Sequence, residues 1–309
     1  MADESTREPA PEVTVPADSA PDGAVIVGVD GQEHDSTVVT WAADEAASLG
    51  RPLHLQEVVD LGISLMAGEG YLPMTSLPAD TLEGEASTLA RAAQVARARQ
   101  PELAVTASSV PGSVAGVLVE LSRSATAIVV GGGGEPSRPF VGSTALSVAA
   151  HAQCPAVVLP DQLTGASGRV VVGVDGSKQS GAAVDYALSY AARHGATLRC
   201  VVAWSVEVVD GAVVTEPGTP EWDAVETKHR ALVERVLADR RTAFPDVPVE
   251  IEIRRGKAAT ALLEAAQGAD LLVVGSRGRG GFTGMLLGSV SKRVLEGSTM
   301  PVAVLHKGE

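Results

Sequence analysis

Aromatic side chains are scarce in this chain: three each of Trp, Tyr and Phe among 309 residues. Its hydrophobic cores must therefore be filled by Val, Leu and Ala, which carry most of the 45% hydrophobic content. Cysteine is nearly absent too. Cys154 and Cys200 are too few for a disulfide scaffold, so two reduced, buried thiols in a cytoplasmic protein are expected. No apolar run reaches the roughly 18–20 residues that a membrane span needs. The N-terminal MADESTREPAPEVTVPADSAPD lacks the basic start and apolar stretch of a secretory signal. It is acidic and proline-rich, and residues 1–22 are expected to form a disordered tail.

Positive charge is in deficit, with 24 Lys and Arg against 38 Asp and Glu and a net charge of −14. The tail supplies −5 of this, from six acids and one arginine. The remainder is still acidic. That excludes a general nucleic-acid grip, which needs a basic face, but permits one locally positive pocket. The six histidines show neither HExxH nor Cys–His ligand spacing, so no metal site is expected. There is no GxSxG nucleophile elbow, and no catalytic residue is assigned.

What the chain does have is a sequence written twice. VIVGVDG at 25–31 and VVVGVDG at 170–176 match at six of seven positions, 145 residues apart. WAA at 41–43 faces YAL at 186–188, Gly50 faces Gly195, and Gly112 faces Gly256. CPAVVL at 154–159 faces MPVAVL at 300–305. Two domains follow, at 23–160 and 169–309, joined by a linker of turn composition at 161–168.

Each copy alternates apolar β-branched runs with helical spacing, which predicts a parallel sheet covered by helices on both faces. In the second copy strands are expected at 169–175, 197–203, 247–254, 270–275 and 302–305. Helices are expected at 180–193, 221–243, 258–266 and 289–297, with Gly195 as a stop signal. The first copy repeats this, with strands at 24–29, 53–58, 104–110, 127–131 and 156–159.

Ligands of open α/β sheets bind beyond the carboxyl ends of strands, where strand order reverses. There the second copy places VVGSRGRGGFTGMLLGSVSKRV, residues 273–294. Gly275 and Gly278 let the backbone turn and approach a ligand without a Cβ in the way. Gly288-Ser289 then opens a helix, whose free N–H groups and partial positive charge suit phosphate. Arg277 and Arg279 add charge and Ser289 a hydroxyl. It is not a Walker A loop: Gly256-Lys257 is followed by Ala258, and no glycine stands five residues before Gly256. The first turn of that copy does not fit GxGxxG either.

The spacing Gly275-x2-Gly278-x9-Gly288-Ser289 resembles the ATP-binding motif of the universal stress protein family. VGVDG in strand one, the glycine before the third helix and the closing PVAV support the resemblance, which covers nearly all of the chain apart from the tail. It implies two Rossmann-like domains of the adenine nucleotide alpha hydrolase type, each with a five-stranded parallel sheet. It also implies ATP, with Mg2+ as an optional companion, and dimer-like pairing of the halves across their last strands. Under the resemblance Asp175 lies near base and ribose, and Ala203 offers backbone to adenine. Val274 and Gly275 border the ribose; Gly278, Gly288, Ser289 and Val290 hold phosphate, with Arg277 beside them.

The matching set in the first copy is Asp30, Val58, Val130, Gly131, Gly134, Gly142, Ser143 and Thr144. Only seven residues separate Gly134 from Gly142, and they include Glu135 and two prolines. Prolines remove N–H donors and the acid opposes phosphate, so this copy is expected to bind more weakly. The resulting expectation is a bacterial, ATP-binding regulator of the stress response without efficient catalysis. Slow ATP hydrolysis, nucleotidyl transfer, or an interaction module with a degenerate site are the alternatives. A regulatory protein partner and a homodimer of the whole chain stay open.

Overall fold

The computed structural model describes residues 20–59, 88–133, 141–161, 163, 167–205, 208–209, 212–213, 217–278 and 286–306. Most of the acidic tail, Gly134, Glu135, Arg279 and the rest of both glycine-loop interiors lie outside these residues.

The first half runs β1 (Val25–Val29), α1 (Asp35–Leu49), β2 (Leu53–Val59), α2 (Thr88–Arg99), β3 (Val105–Pro111), α3 (Val114–Leu121), β4 (Ala127–Gly131), α4 (Ser143–His151) and β5 (Ala156–Leu159). The second runs β6 (Arg169–Gly173), α5 (Lys178–His194), β7 (Thr197–Trp204), a small hairpin β8 (Val208–Val209) and β9 (Ala212–Val213), α6 (Pro220–Leu237), α7 (Arg240–Ala243), β10 (Val249–Arg255), α8 (Ala258–Ala265), β11 (Leu271–Gly275), α9 (Ser289–Gly297) and β12 (Val302–Leu305).

Within each half the five main strands are parallel, in the order third, second, first, fourth, fifth. Strand order therefore reverses beside β1 and β6, which opens a crevice beyond their carboxyl ends. The strands are apolar along their length because both faces are covered. Val25 and Val27 sink into one layer with Val38 and Ala42 of α1, while Ile26 faces the other with Leu118 of α3 and Val148 of α4. The second half does the same with Val170 and Val172 against α5, and Val171 against Leu262 of α8 and Val294 of α9. Cys154 and Cys200 are free and buried, and burial pushes both thiols up to about 12. No helix among the described residues is long and apolar enough to cross a membrane.

Helix boundaries follow local chemistry. The Ser177 hydroxyl accepts from Ser180 N at 3.1 Å and starts α5; Gly195 ends it in the left-handed conformation at φ 61°. The helix expected over 221–243 is two pieces. Arg240 donates to Val236 O at 2.7 Å and grips Asp185 on α5 through Nε and Nη2. A side chain inserted into the helical ladder in this way breaks the run after Leu237.

The halves join edge to edge. β12 pairs antiparallel with β5, Ala303 opposite Val157, so a single ten-stranded sheet runs through the molecule. Beside this seam α1 meets α5: Trp41 stacks on Tyr190 at 6.4 Å between centroids, and Glu45 of α1 bonds Arg193 and His194 of α5. His306 Nε2, just past β12, bonds Ala150 O at 3.2 Å near the end of α4.

Candidate nucleotide cleft

A cavity of about 550 Å3 opens at the carboxyl ends of β6, β7 and β11. Asp175, Ala203, Val274, Gly275, Arg277, Gly278, Gly288, Ser289 and Val290 all line it, so the structure brings together every described residue singled out in the second copy. Arg279 lies outside the described residues.

The rear wall is apolar. Val201 and Ala203 contribute from β7, Leu262 and Ala258 from α8 and Val274 from β11. Gly173 belongs to this wall because a Cβ there would stand 3.1 Å from Leu262 Cδ1. Such a surface suits the face of a planar base.

The front is polar and built by backbone. Gly288 N donates to Ser276 O at 2.7 Å and Ser276 N to Leu305 O at 2.7 Å, which pins the foot of the glycine loop to the end of β12. Ser291 Oγ donates to Gly275 O at 2.6 Å, clamping α9 onto the end of β11. A Cβ on Gly275 would lie 2.8 Å from Gln179 Cβ and 3.0 Å from its carbonyl carbon, so the strand end touches α5 directly. A Cβ on Gly278 would lie 2.6 Å from Asp175 Oδ2, which shows how closely the loop passes the carboxylate. Asp175 Oδ1 accepts from Ser177 N at 2.9 Å, so one of its oxygens shapes the turn.

Two features give this front a positive character. The cap of α9 is Gly288, with no side-chain hydrogen bond, whereas Ser113, Ser177 and Thr219 cap α3, α5 and α6 with their hydroxyls. The first N–H groups of α9 thus point out of the helix without a capping side chain to receive them. Arg277 also lines the cavity, and its buried Nε has no hydrogen-bond acceptor among the described residues. A buried guanidinium donor left open costs more than one that meets an anion. Among the described lining residues Asp175 is the single carboxylate, and neither His nor Lys is present.

In the first half the same backbone recurs. Gly142 N donates to Gly132 O and Gly132 N to Leu159 O, both at 2.7 Å, and Gly142 caps α4 without a side-chain bond. Asp30 stands exposed past β1, with Oδ1 accepting from Gln32 N at 3.0 Å. Gly131 ends β4 against the His34 ring, and Val130 is buried in β4. Ser143 and Thr144 open α4. Gly134 lies outside the described residues. The side chains differ, however. Val58 and Val114 stand where the second half has Ala203 and Ala258, and both pack onto the core. Gly133 replaces Arg277.

The first turn of this half also carries donors that motif spacing overlooks. One ligand atom each from Asp30, His34 and Asp35 falls within 4.8 Å of the others. The Asp35 carboxylate is already engaged by Gly31 N at 2.8 Å, and burial raises its pKa.

Known proteins place this architecture. The family model described as "Universal stress protein family" matches residues 23–160 and again 167–306. A universal stress protein of Mycolicibacterium smegmatis is 37% identical over 294 residues, covering 93% of this chain and 98% of that one. The crystal structure of a universal stress protein from Archaeoglobus fulgidus superposes with a TM-score of 0.65 at 20% identity, covering 93% of this chain and 97% of that one. A universal stress protein solved in complex with cAMP is 33% identical and covers 46% of this chain and 99% of its own, with a TM-score of 0.34. With two matches to one model that together take in nearly all of its length, the chain belongs to the universal stress protein family and carries that family's domain twice in tandem.

Proposed function

We propose that the second-half cleft binds an adenine nucleotide, with ATP the ligand that fills it best. The observation that carries this reading is the glycine-capped start of α9 at the polar front of a cavity whose rear wall is apolar, with Arg277 in the same lining. An anion there meets the first N–H groups of α9, and the Arg277 charge adds to its attraction. The apolar wall of Val201, Ala203 and Leu262 suits a base, and the start of α9 lines the same cavity, where phosphates would sit. Asp175, in the lining of the same cavity, would accept a ribose hydroxyl. With a single carboxylate in the lining, Mg2+ would ride mainly on phosphate oxygens, helped by Asp175.

The same lining supports binding without efficient turnover, since no lysine or second acid stands ready for phosphoryl transfer among the described lining residues. Nucleotide occupancy then acts as a regulatory signal. It favours whichever arrangement of the protein holds the ligand better, and so alters the surface offered to a partner.

Calorimetric titration of the full chain with ATP, ADP, AMP and cAMP, with and without Mg2+, tests this. The expected result is saturable binding that Arg277→Gly weakens sharply, with ATP retained intact over hours. Affinity unchanged in Arg277→Gly would overturn the assignment of the site. Rapid release of ADP or pyrophosphate would instead favour the enzyme.

A further inference from the structure

The seam between the halves buries a carboxylate. Glu45 of α1 is only 1% exposed, and its partners come from the other half. Arg193 Nη2 donates to Glu45 Oε1 at 2.5 Å, and Arg193 Nε donates to Ser48 Oγ at 3.1 Å. Ser48 Oγ in turn donates to Glu45 Oε2 at 3.2 Å, and His194 Nε2 lies 3.3 Å from the same oxygen. Arg193 is held from its own side as well: Nη1 donates to Ser189 Oγ at 2.7 Å, and the guanidinium lies 5.7 Å from the Tyr190 ring centre. Arg193 is 18% exposed and His194 29%.

The repeat shows what this cluster replaces. At the 145-residue offset Glu45 corresponds to Tyr190, Ser48 to Arg193 and Leu49 to His194. The backbone surfaces are therefore alike, while the charges sit on different copies. Were two first halves to meet through this surface, each Glu45 would face Ser48 and Leu49 and remain buried without a cation. Were two second halves to meet, Arg193 and His194 would face Tyr190 and one another without an anion. Only unlike halves satisfy both. The apolar parts of the seam, β5 against β12 and Trp41 against Tyr190, make no such distinction in charge.

We propose that the Glu45–Arg193–His194 cluster is a pairing code: the α1 surface of a first half accepts the α5 surface of a second half and rejects its own kind. Its partner is a cationic second-half surface, supplied within the chain or, on exchange, by a second copy of the chain. The unpaired buried ion acts as the repulsive element that like-with-like pairing would meet.

Two full-length variants test this. In Glu45→Arg the seam holds cation against cation, and in Arg193→Glu acid against acid. The two are unfolded together and refolded as a mixture. The first half of the Glu45→Arg chain can then meet the second half of the Arg193→Glu chain, and the native Glu45 and Arg193 meet in return. The expected product is a mixed dimer with exchanged halves, enriched at least about tenfold over dimers of either variant alone. Isotope-labelled chains and native mass spectrometry count it. A mixture with no more mixed dimer than chance would overturn the proposal. Should either single variant fail to fold, the doubly reversed chain Glu45→Arg/Arg193→Glu decides. Recovery of a monomer with a wild-type unfolding midpoint supports the code, and no recovery beyond the singles overturns it.

Discussion

The two clefts share a backbone and differ in side chains. In both, a glycine N–H is tied to the residue after the fourth strand, and a glycine-capped helix follows. In the second, small side chains at Ala203 and Ala258 line the wall, and Arg277 brings a positive charge to the lining. In the first, valines fill the wall positions and glycine stands in for the arginine. A repeated fold thus repeats the backbone of the cleft while the side chains that line it differ.

The comparison can be broken most severely at Gly275. Alanine there must push against the Gln179 backbone, so ATP binding by the second cleft is expected to fall below detection by calorimetry and the midpoint of thermal unfolding to drop, at a cost of about 1–3 kcal/mol. Next comes Arg277→Gly, which gives the second cleft the residue of the first. Losing a charge-assisted donor worth roughly 1.5–3 kcal/mol weakens ATP by about 10- to 150-fold, with the fold unchanged by circular dichroism. The reverse exchange is smaller. Val58→Ala with Val114→Ala opens the first wall and is expected to strengthen binding there by several-fold, read as a rise in stoichiometry, while stability falls by about 2–4 kcal/mol.

The smallest effect concerns pH. His54 is 1% exposed and bonded to Thr106 Oγ1 at 2.9 Å and Ser108 Oγ at 3.0 Å; burial lowers its pKa below 6.5. The unfolded chain therefore takes up a proton first as pH falls. The contribution of neutral His54 is fully present above pH 6.5 and declines as pH falls toward the lower folded value. Its counterpart in the second half is Arg199, which does not titrate in that range. Unfolding followed between about pH 7.5 and 5.5 should show a downward drift that His54→Gln flattens. An equal drift in both proteins would assign it elsewhere, His306 being the first suspect, since burial lowers its pKa too.

Much of this was legible in advance, for physical reasons. Strands buried on both faces must be apolar throughout, so VIVGV and VVVG declare themselves. Gly275, Gly278, Gly288 and Ser289 could be named because glycines and a helix start leave a trace in spacing, whereas Asp175, Ala203, Val274 and Val290 are named only through the family resemblance. Ser291 left none: a serine in the first turn of a helix reads as ordinary until its bond to Gly275 O is seen. The break in α6 was hidden because Arg240 reaches Asp185, 55 residues away in sequence. Glu45 and Arg193 look like any solvated helix charges in the sequence, since periodicity cannot tell water from the other half of the molecule.

The antiparallel junction of β5 and β12 also sets directions. Strands of the two halves run opposite ways through one sheet, so their carboxyl ends emerge at opposite margins. The two clefts therefore look away from each other. A small ligand seated beyond one margin does not reach the other. Any conversation between the two must travel through the sheet and its seam, past His306 and the end of α4, rather than across solvent.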